Sequence, residues 1–162
     1  MVVVLMGVSG SGKSTLGKLL AEQLGWNFIE ADDYHPAANV EKMRAGTPLT
    51  DEDRRPWLAA LRVKVDEACH KGIDTVLACS ALKHQYQEYL EAHDPECVKY
   101  VYLHGSEELI RARLAARKGH FMPSKLLHSQ FEALEPPADA IRVDVAPPPD
   151  VVVANIRKKL GV

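Results

Sequence analysis

Three observations predict that this 162-residue chain is an α/β protein built on a parallel five-stranded sheet flanked by helices. Short apolar or β-branched runs alternate with helical patterns, the order that crossover connections produce. The first run, Val2–Met6, is apolar at every position, as expected of a strand buried on both faces. No repeat, low-complexity tract or linker divides the chain, and its length suits one domain of ~100–200 residues, so residues 1–162 are read as a single domain.

The elements follow in order. After the first strand, Leu16, Leu19, Leu20 and Leu24 form one helical stripe, and Gly25 is a stop signal. Residues 26–30 read as the second strand. A long helix is expected over 57–70, with Leu58, Leu61, Val65 and Cys69 on one face. Gly72 then releases the chain into a third strand over 73–79. Residues 98–103 are the fourth strand and 141–145 the fifth. Val152, Val153, Ile156 and Leu160 mark a closing helix. Thr50 followed by Asp51, Glu52 and Asp53 reads as a helix N-terminus. Pro56 interrupts a helix begun there, so a short turn before the long helix is expected. Two stretches, about 35–56 and about 117–137, fit the alternation poorly. Segments this long are binding elements or lids, expected over the carboxyl edge of the sheet.

Composition excludes several classes. The net charge of -2 lacks the basic excess of proteins that grip nucleic acid. No apolar run approaches the ~20 residues of a membrane span. The short run at Val2–Met6 has no basic segment before it and is too brief for a signal-peptide core. Neither nucleic acid nor membrane is therefore expected as a partner. Cys69, Cys79 and Cys97 are an odd set without a C-x-x-C, read as reduced, mostly buried thiols of a cytoplasmic protein. The histidines form no H-E-x-x-H or Cys/His cluster, so no structural zinc is expected.

The strongest signal is Gly7, Val8, Ser9, Gly10, Ser11, Gly12, Lys13, Ser14, a complete G-x-x-x-x-G-K-[ST] between a strand and a helix. The glycines let backbone N–H groups converge on phosphate oxygens, and the helix N-terminus adds its partial positive charge. Thr15 continues this nucleotide-contacting turn. Lys13 is expected to reach the β- and γ-phosphates of ATP, and the Ser14 hydroxyl to bind Mg²⁺. No guanine-reading N-K-x-D occurs. The third strand ends in Cys79 and Ser80, so the usual metal-binding Asp is missing. Either Ser14, phosphates and water hold the metal, or a carboxylate comes from elsewhere.

Further strings occur in a specific order: Ala31-Asp32-Asp33-Tyr34-His35-Pro36, then Asn39, Lys42-Met43, Gly46, Pro48-Leu49 and Asp51 to Leu58. Cys79 to Lys83, Arg117 to Phe121 and Gln130 to Pro137 follow. With the phosphate loop, this set resembles the gluconokinases over nearly the whole chain. The resemblance implies a nucleoside-monophosphate-kinase-like fold and ATP and Mg²⁺ as cosubstrate and metal. It also implies transfer of phosphate to the 6-hydroxyl of D-gluconate, and a possible homodimer. Other readings of the loop are a shikimate or nucleoside-monophosphate kinase, or a nucleotide-binding module without turnover. Shikimate kinases usually carry a glycine-rich turn where Cys79 to Lys83 stands, and a mere sensor needs neither Asp32 nor a basic lid.

Roles follow from chemistry. A carboxylate beside the phosphate loop can orient or deprotonate the attacking hydroxyl. Asp32 and Asp33 are the candidates, successive strand residues face opposite ways, and the resemblance favours Asp32. Arg113 and Arg117 are four apart and share a helical face, with Gly119 as a stop; they are read as a lid neutralising charge on the transferred phosphoryl group. Arg111 points away and is read as solvated. His120 either touches substrate or phosphate or packs at the hinge. The gluconate carboxylate needs a cation, drawn from Arg44, Arg54, Arg55 or Lys83. Its hydroxyls need groups such as His35, Asn39, Asp51 or Asp53. Trp57 is read as core. The resemblance puts the neighbourhood of Glu135 near the adenine.

Overall fold

A computed structural model describes residues 1–91, 93–117 and 124–162. Strand β1 (Val2–Met6) leads through the phosphate loop into α1 (Lys13–Leu24) and β2 (Asn27–Glu30). A 3-10 turn (Ala31–Tyr34) precedes α2 (Ala37–Arg44) and α3 (Asp51–Lys71). Then come β3 (Thr75–Ala78), α4 (His84–Glu91), β4 (Val98–His104) and α5 (Glu107–Ala116). The chain closes with α6 (Ser124–Ala133), β5 (Ile141–Asp144) and α7 (Pro149–Leu160).

All five strands are parallel, in the order β2-β3-β1-β4-β5. Strand β1 is central and buried at every position. Its side chains alternate between two cores, as the period of a strand dictates. Val3 and Leu5 pack with Leu20, Ile110, Leu127 and Ile156. Val2, Val4 and Met6 pack with Trp57, Leu61, Val65 and Leu90 on the other face. The winding reverses across β1, because β3 lies on one side and β4 on the other. Ligands of open α/β sheets bind at such a point.

Helix α3 corrects the expected break at Pro56. It runs unbroken from Asp51, because Thr50 caps it twice over. Asp53 N donates to Thr50 Oγ1 at 3.1 Å, and Thr50 N donates to Asp53 Oδ2 at 2.9 Å. Pro56 removes one N–H that would have met the Glu52 carbonyl. Both residues are exposed, where water can serve that carbonyl. The two long segments contain α2 and α6.

The thiol expectation is corrected too. Cys69 and Cys97 form a disulfide, and Cys79 is a buried free cysteine. The bond joins the end of α3 to the start of β4, at the sheet edge opposite the phosphate loop. Among the described residues, Cys69, Asp94 and Cys97 form a group with metal-ligand spacing. Two of the three have no thiolate to offer while bonded.

Candidate active site

The loop between β1 and α1 is shaped by glycines. Gly10 and Gly12 have φ of 82° and 95°, the left-handed region that side chains rarely adopt. A Cβ on Gly10 would stand 2.6 Å from Leu114 Cγ, so α5 packs directly onto the loop. Lys13 Nζ donates to the carbonyl oxygens of Gly7 and Val8, each at 3.0 Å. Burial pushes its pKa down, with Asp32, Cys79 and Glu30 acting in the opposite sense and Arg117 with it. Burial also pushes the Cys79 thiol up to about 12, so it stays neutral beside Lys13. Ser9 N donates to Gln130 Oε1 at 2.8 Å, and Gln130 Nε2 donates to Ser9 Oγ at 3.2 Å. A side chain of α6 thus occupies a loop N–H, an interaction that sequence reasoning missed and that no local signal announces.

A cavity of about 380 Å³ adjoins the loop. It is lined by Gly10, Ser11, Gly12 and Thr15, by Arg113 and Arg117, and by the 145–149 turn. The Ser11 hydroxyl is buried there without a protein partner among the described residues. Helix α5 ends at Ala116, and Arg117 is its extended C-cap, with φ -77° and ψ 125°. The expected shared helical face therefore does not extend to Arg117, yet both arginines reach the same cavity. Arg113 is committed further, donating to the carbonyl oxygens of Val145 and Ala146, so it holds one wall in place. Arg111 pairs with Glu107 on the surface. Glu135 is not among the residues lining this cavity: its N–H donates to Leu82 O at 2.6 Å, and its Oε1 accepts from His84 N at 3.0 Å. The turn after β5 forms one wall of the cavity. His120 and the segment 118–123 fall outside the described residues.

On the other side of Lys13, strand β2 ends at Glu30. Asp32 and Asp33 therefore lie in the 3-10 turn rather than on a strand, which corrects the argument from alternating faces. Asp32 is the one close enough to act on Lys13 and His35. Glu30 is the missed residue here. Its Oε2 accepts from Ser14 Oγ and its Oε1 from Asp32 N at 3.4 Å. Gly17 brings α1 close to this strand, since a Cβ there would stand 2.7 Å from Phe28 Cε1. The available signal was an acidic residue ending a short strand, directly after Phe28 and Ile29. Glu30 and Ser14 together present oxygen atoms of the kind a hard cation such as Mg²⁺ takes.

Beyond Asp32 stands a network of side chains. Tyr86 Oη donates to Asp51 Oδ1, Lys83 Nζ donates to the same oxygen at 3.1 Å, and Arg54 Nη1 donates to Tyr86 Oη at 3.2 Å. Arg54 also donates to Leu49 O at 2.8 Å. Hydrogen bonds from Tyr86 and Lys83 hold the Asp51 carboxyl down at about 2. Lys42 and Thr50 do the same for Asp53, also to about 2. Ala81, with φ 42°, strains the turn that presents Lys83. Arg44 and Arg55 take no part in this network. Arg44 is exposed and pairs with Glu41 at 3.7 Å, and Arg55 is exposed on α3. His35 stacks on Trp57 with ring centroids 4.3 Å apart. Trp57 is core as expected, and its Nε1 donates to Ala31 O at 2.7 Å, which ties the acidic turn to α3.

Comparison with known proteins adds the following. Residues 2–137 match the family described as an AAA domain. A gluconokinase of Gluconobacter oxydans is 47% identical, covering 95% of this chain and 88% of its own. A gluconokinase structure from Sinorhizobium meliloti 1021 superposes with a TM-score of 0.84 at 43% identity, over 98% of this chain and 94% of that one. An unliganded sugar kinase from a Janibacter species gives 0.90 at 41% identity, over 99% and 94%.

Proposed function

Since the chain belongs to the gluconokinase family, we propose that it transfers the γ-phosphoryl group of ATP to the 6-hydroxyl of D-gluconate, giving 6-phospho-D-gluconate and ADP. The observation that carries this reading is the acidic turn standing between the phosphate loop and a cationic network. Asp32 acts on Lys13 from one side and on His35 from the other, where an acceptor hydroxyl has to sit.

Each group then has a task. The loop N–H groups and Lys13 hold the phosphates of ATP, with the adenosine moiety in the cavity beside Thr15, Arg113 and Arg117. Ser14, supported by Glu30, would hold Mg²⁺, which would supply positive charge against the charge developing on the phosphates. Asp32 orients the 6-hydroxyl and accepts its proton. Phosphoryl transfer depends mainly on positioning and charge stabilisation, so orientation is the larger share of that role. Arg117 carries positive charge toward the transferred group. Arg54 and Lys83 meet the gluconate carboxylate, and Arg44 and Arg55 do not. Arg54 is the better partner, because its planar fork matches a carboxylate.

Gluconate breakdown toward pentose phosphates is the pathway this product feeds. The cytoplasm, which supplies ATP, is the compartment that suits it. Among the described residues no helix is long and apolar enough to cross a membrane. Sedimentation of the purified chain checks the homodimer that the resemblance implies. The activity itself is tested by coupled ADP release with gluconate, shikimate and nucleoside monophosphates. Turnover with gluconate is expected. Turnover with one of the others in its place, or with none, overturns the assignment.

A further inference from the structure

The surroundings of His35 determine which of its nitrogens carries the proton. Its Nδ1 lies 3.1 Å from Nδ2 of Asn39, and that same amide nitrogen lies 2.8 Å from the backbone oxygen of Asp53. A carbonyl oxygen only accepts hydrogen bonds. The end of the Asn39 amide that faces Asp53 must therefore be the NH2 group, which removes the usual ambiguity of an asparagine's orientation. One of its hydrogens serves the Asp53 carbonyl, and the other is left for Nδ1 of His35. That nitrogen has to be the acceptor, and a neutral imidazole that accepts at Nδ1 carries its proton on Nε2.

The arrangement is held on every side. Asn39 is 3% exposed, so an unpaired amide there would be costly. The Asp53 carboxylate is tied to Thr50 and Lys42 at 2.9 and 2.8 Å. The imidazole lies flat on Trp57, with 10° between the planes. Burial lowers the pKa of His35 and Arg54 adds to that, while Asp32 opposes them. The ring is thus neutral at neutral pH. Among the described residues Nε2 has no protein acceptor.

We propose that Asn39 is a positioning residue that fixes His35 as the neutral Nε2–H tautomer, making His35 a hydrogen-bond donor to an oxygen of the polyhydroxy-acid substrate. The division of labour follows. His35 has no lone pair free at Nε2 and cannot take the proton of the attacking hydroxyl, which leaves that step to Asp32. An acceptor oxygen on the substrate is read by His35, and a deoxy analogue at that carbon leaves the donor unpaired. The inference rests on gluconate being the substrate bound at this face.

The test uses the full chain labelled with ¹⁵N-histidine, with His35 assigned by loss of its signals in His35→Gln. Long-range proton–nitrogen correlation near neutral pH should show a neutral ring protonated at Nε2. In Asn39→Asp the new carboxylate cannot donate, so the proton should move to Nδ1 or the ring should become cationic. Losing one neutral hydrogen bond should raise the gluconate KM about 3- to 10-fold, with the ATP KM unchanged. His35→Gln keeps an N–H donor and should retain more gluconate affinity than His35→Leu. A wild-type ring protonated at Nδ1, or charged at neutral pH, overturns the proposal even if no Asn39 variant folds. So does an Asn39→Asp protein with unchanged tautomer and KM. Failure of the wild type to phosphorylate gluconate would instead defeat the substrate reading, while the tautomer stood.

Discussion

On the nucleotide side, the groups suited to hold phosphates belong to one contiguous string and its backbone, while Arg113, Arg117 and the 145–149 turn wall the rest of the cavity. Around Asp32 they are side chains from four separated segments: the turn after β2, α2, the first turns of α3, and the start of α4. The nucleotide side works through N–H groups and a helix N-terminus, which any chain with the right glycines presents. The acceptor side works through an ordered network in which Asp51, Tyr86, Lys83 and Arg54 hold one another. The first is a local device and the second a tertiary one. Damage to the first should abolish chemistry for any acceptor, whereas damage to the second should change which acceptor is used.

The sharpest break in this comparison is made at its boundary. Lys13→Ala should lower kcat about 10²- to 10³-fold through lost charge stabilisation, and should weaken MgATP binding. Asp32→Asn should lower kcat about 10²- to 10⁴-fold, and should leave MgATP binding largely intact. Steady-state kinetics with direct nucleotide titration separates the two, and a folded Asp32→Asn protein with normal turnover would contradict its role.

On the acceptor side alone, Arg54→Leu should raise the gluconate KM about 10- to 100-fold, the range of a hydrogen bond to a charged group. Arg44→Leu and Arg55→Leu should leave it unchanged, and all three should bind ATP normally. The gap between gluconate and the neutral polyol sorbitol should narrow in Arg54→Leu, as expected of a site that reads a specific charged group.

The disulfide supplies a control remote from both regions. Opening the Cys69–Cys97 link, whose ends are 28 positions apart, should lower unfolding stability by ~2–4 kcal/mol. It should leave both KM values unchanged, measured with and without reductant.

Two smaller effects probe the regions singly. Gln130→Ala frees the Ser9 N–H and should tighten nucleotide binding about 2- to 10-fold, if the side chain competes with phosphate for that donor. Adenosine, which lacks phosphates, should bind both proteins equally. The pH dependence tests His35. Its pKa is lowered from 6.5, so its neutral form persists below that value. Gluconate affinity should therefore be complete above 6.5 and fall as pH drops through the lower folded value, where a proton at Nδ1 would meet the Asn39 amide.

The sequence by itself determined the α/β class, the central buried strand and the phosphate loop with Lys13 and Ser14; it offered Asp32 and Asp33 together, and only the family resemblance favoured Asp32. The first three are legible because period, glycine placement and a helix start act over a few neighbouring residues. Boundaries moved where local rules compete: Pro56 alone predicts a break, but the reciprocal Thr50 and Asp53 cap holds α3 continuous from Asp51. Tertiary structure decided which cation belongs to the acceptor network, because Arg54 and Arg55 are adjacent in sequence and a helix turns them about 100° apart. It decided that Glu30 rather than a residue of β3 backs Ser14, since the close approach of α1 to β2 at Gly17 is a packing fact. It joined Cys69 to Cys97 and seated Gln130 on Ser9, pairs separated by 28 and 121 residues. Such contacts depend on where strands and helices meet after folding, and no spacing along the chain encodes that distance.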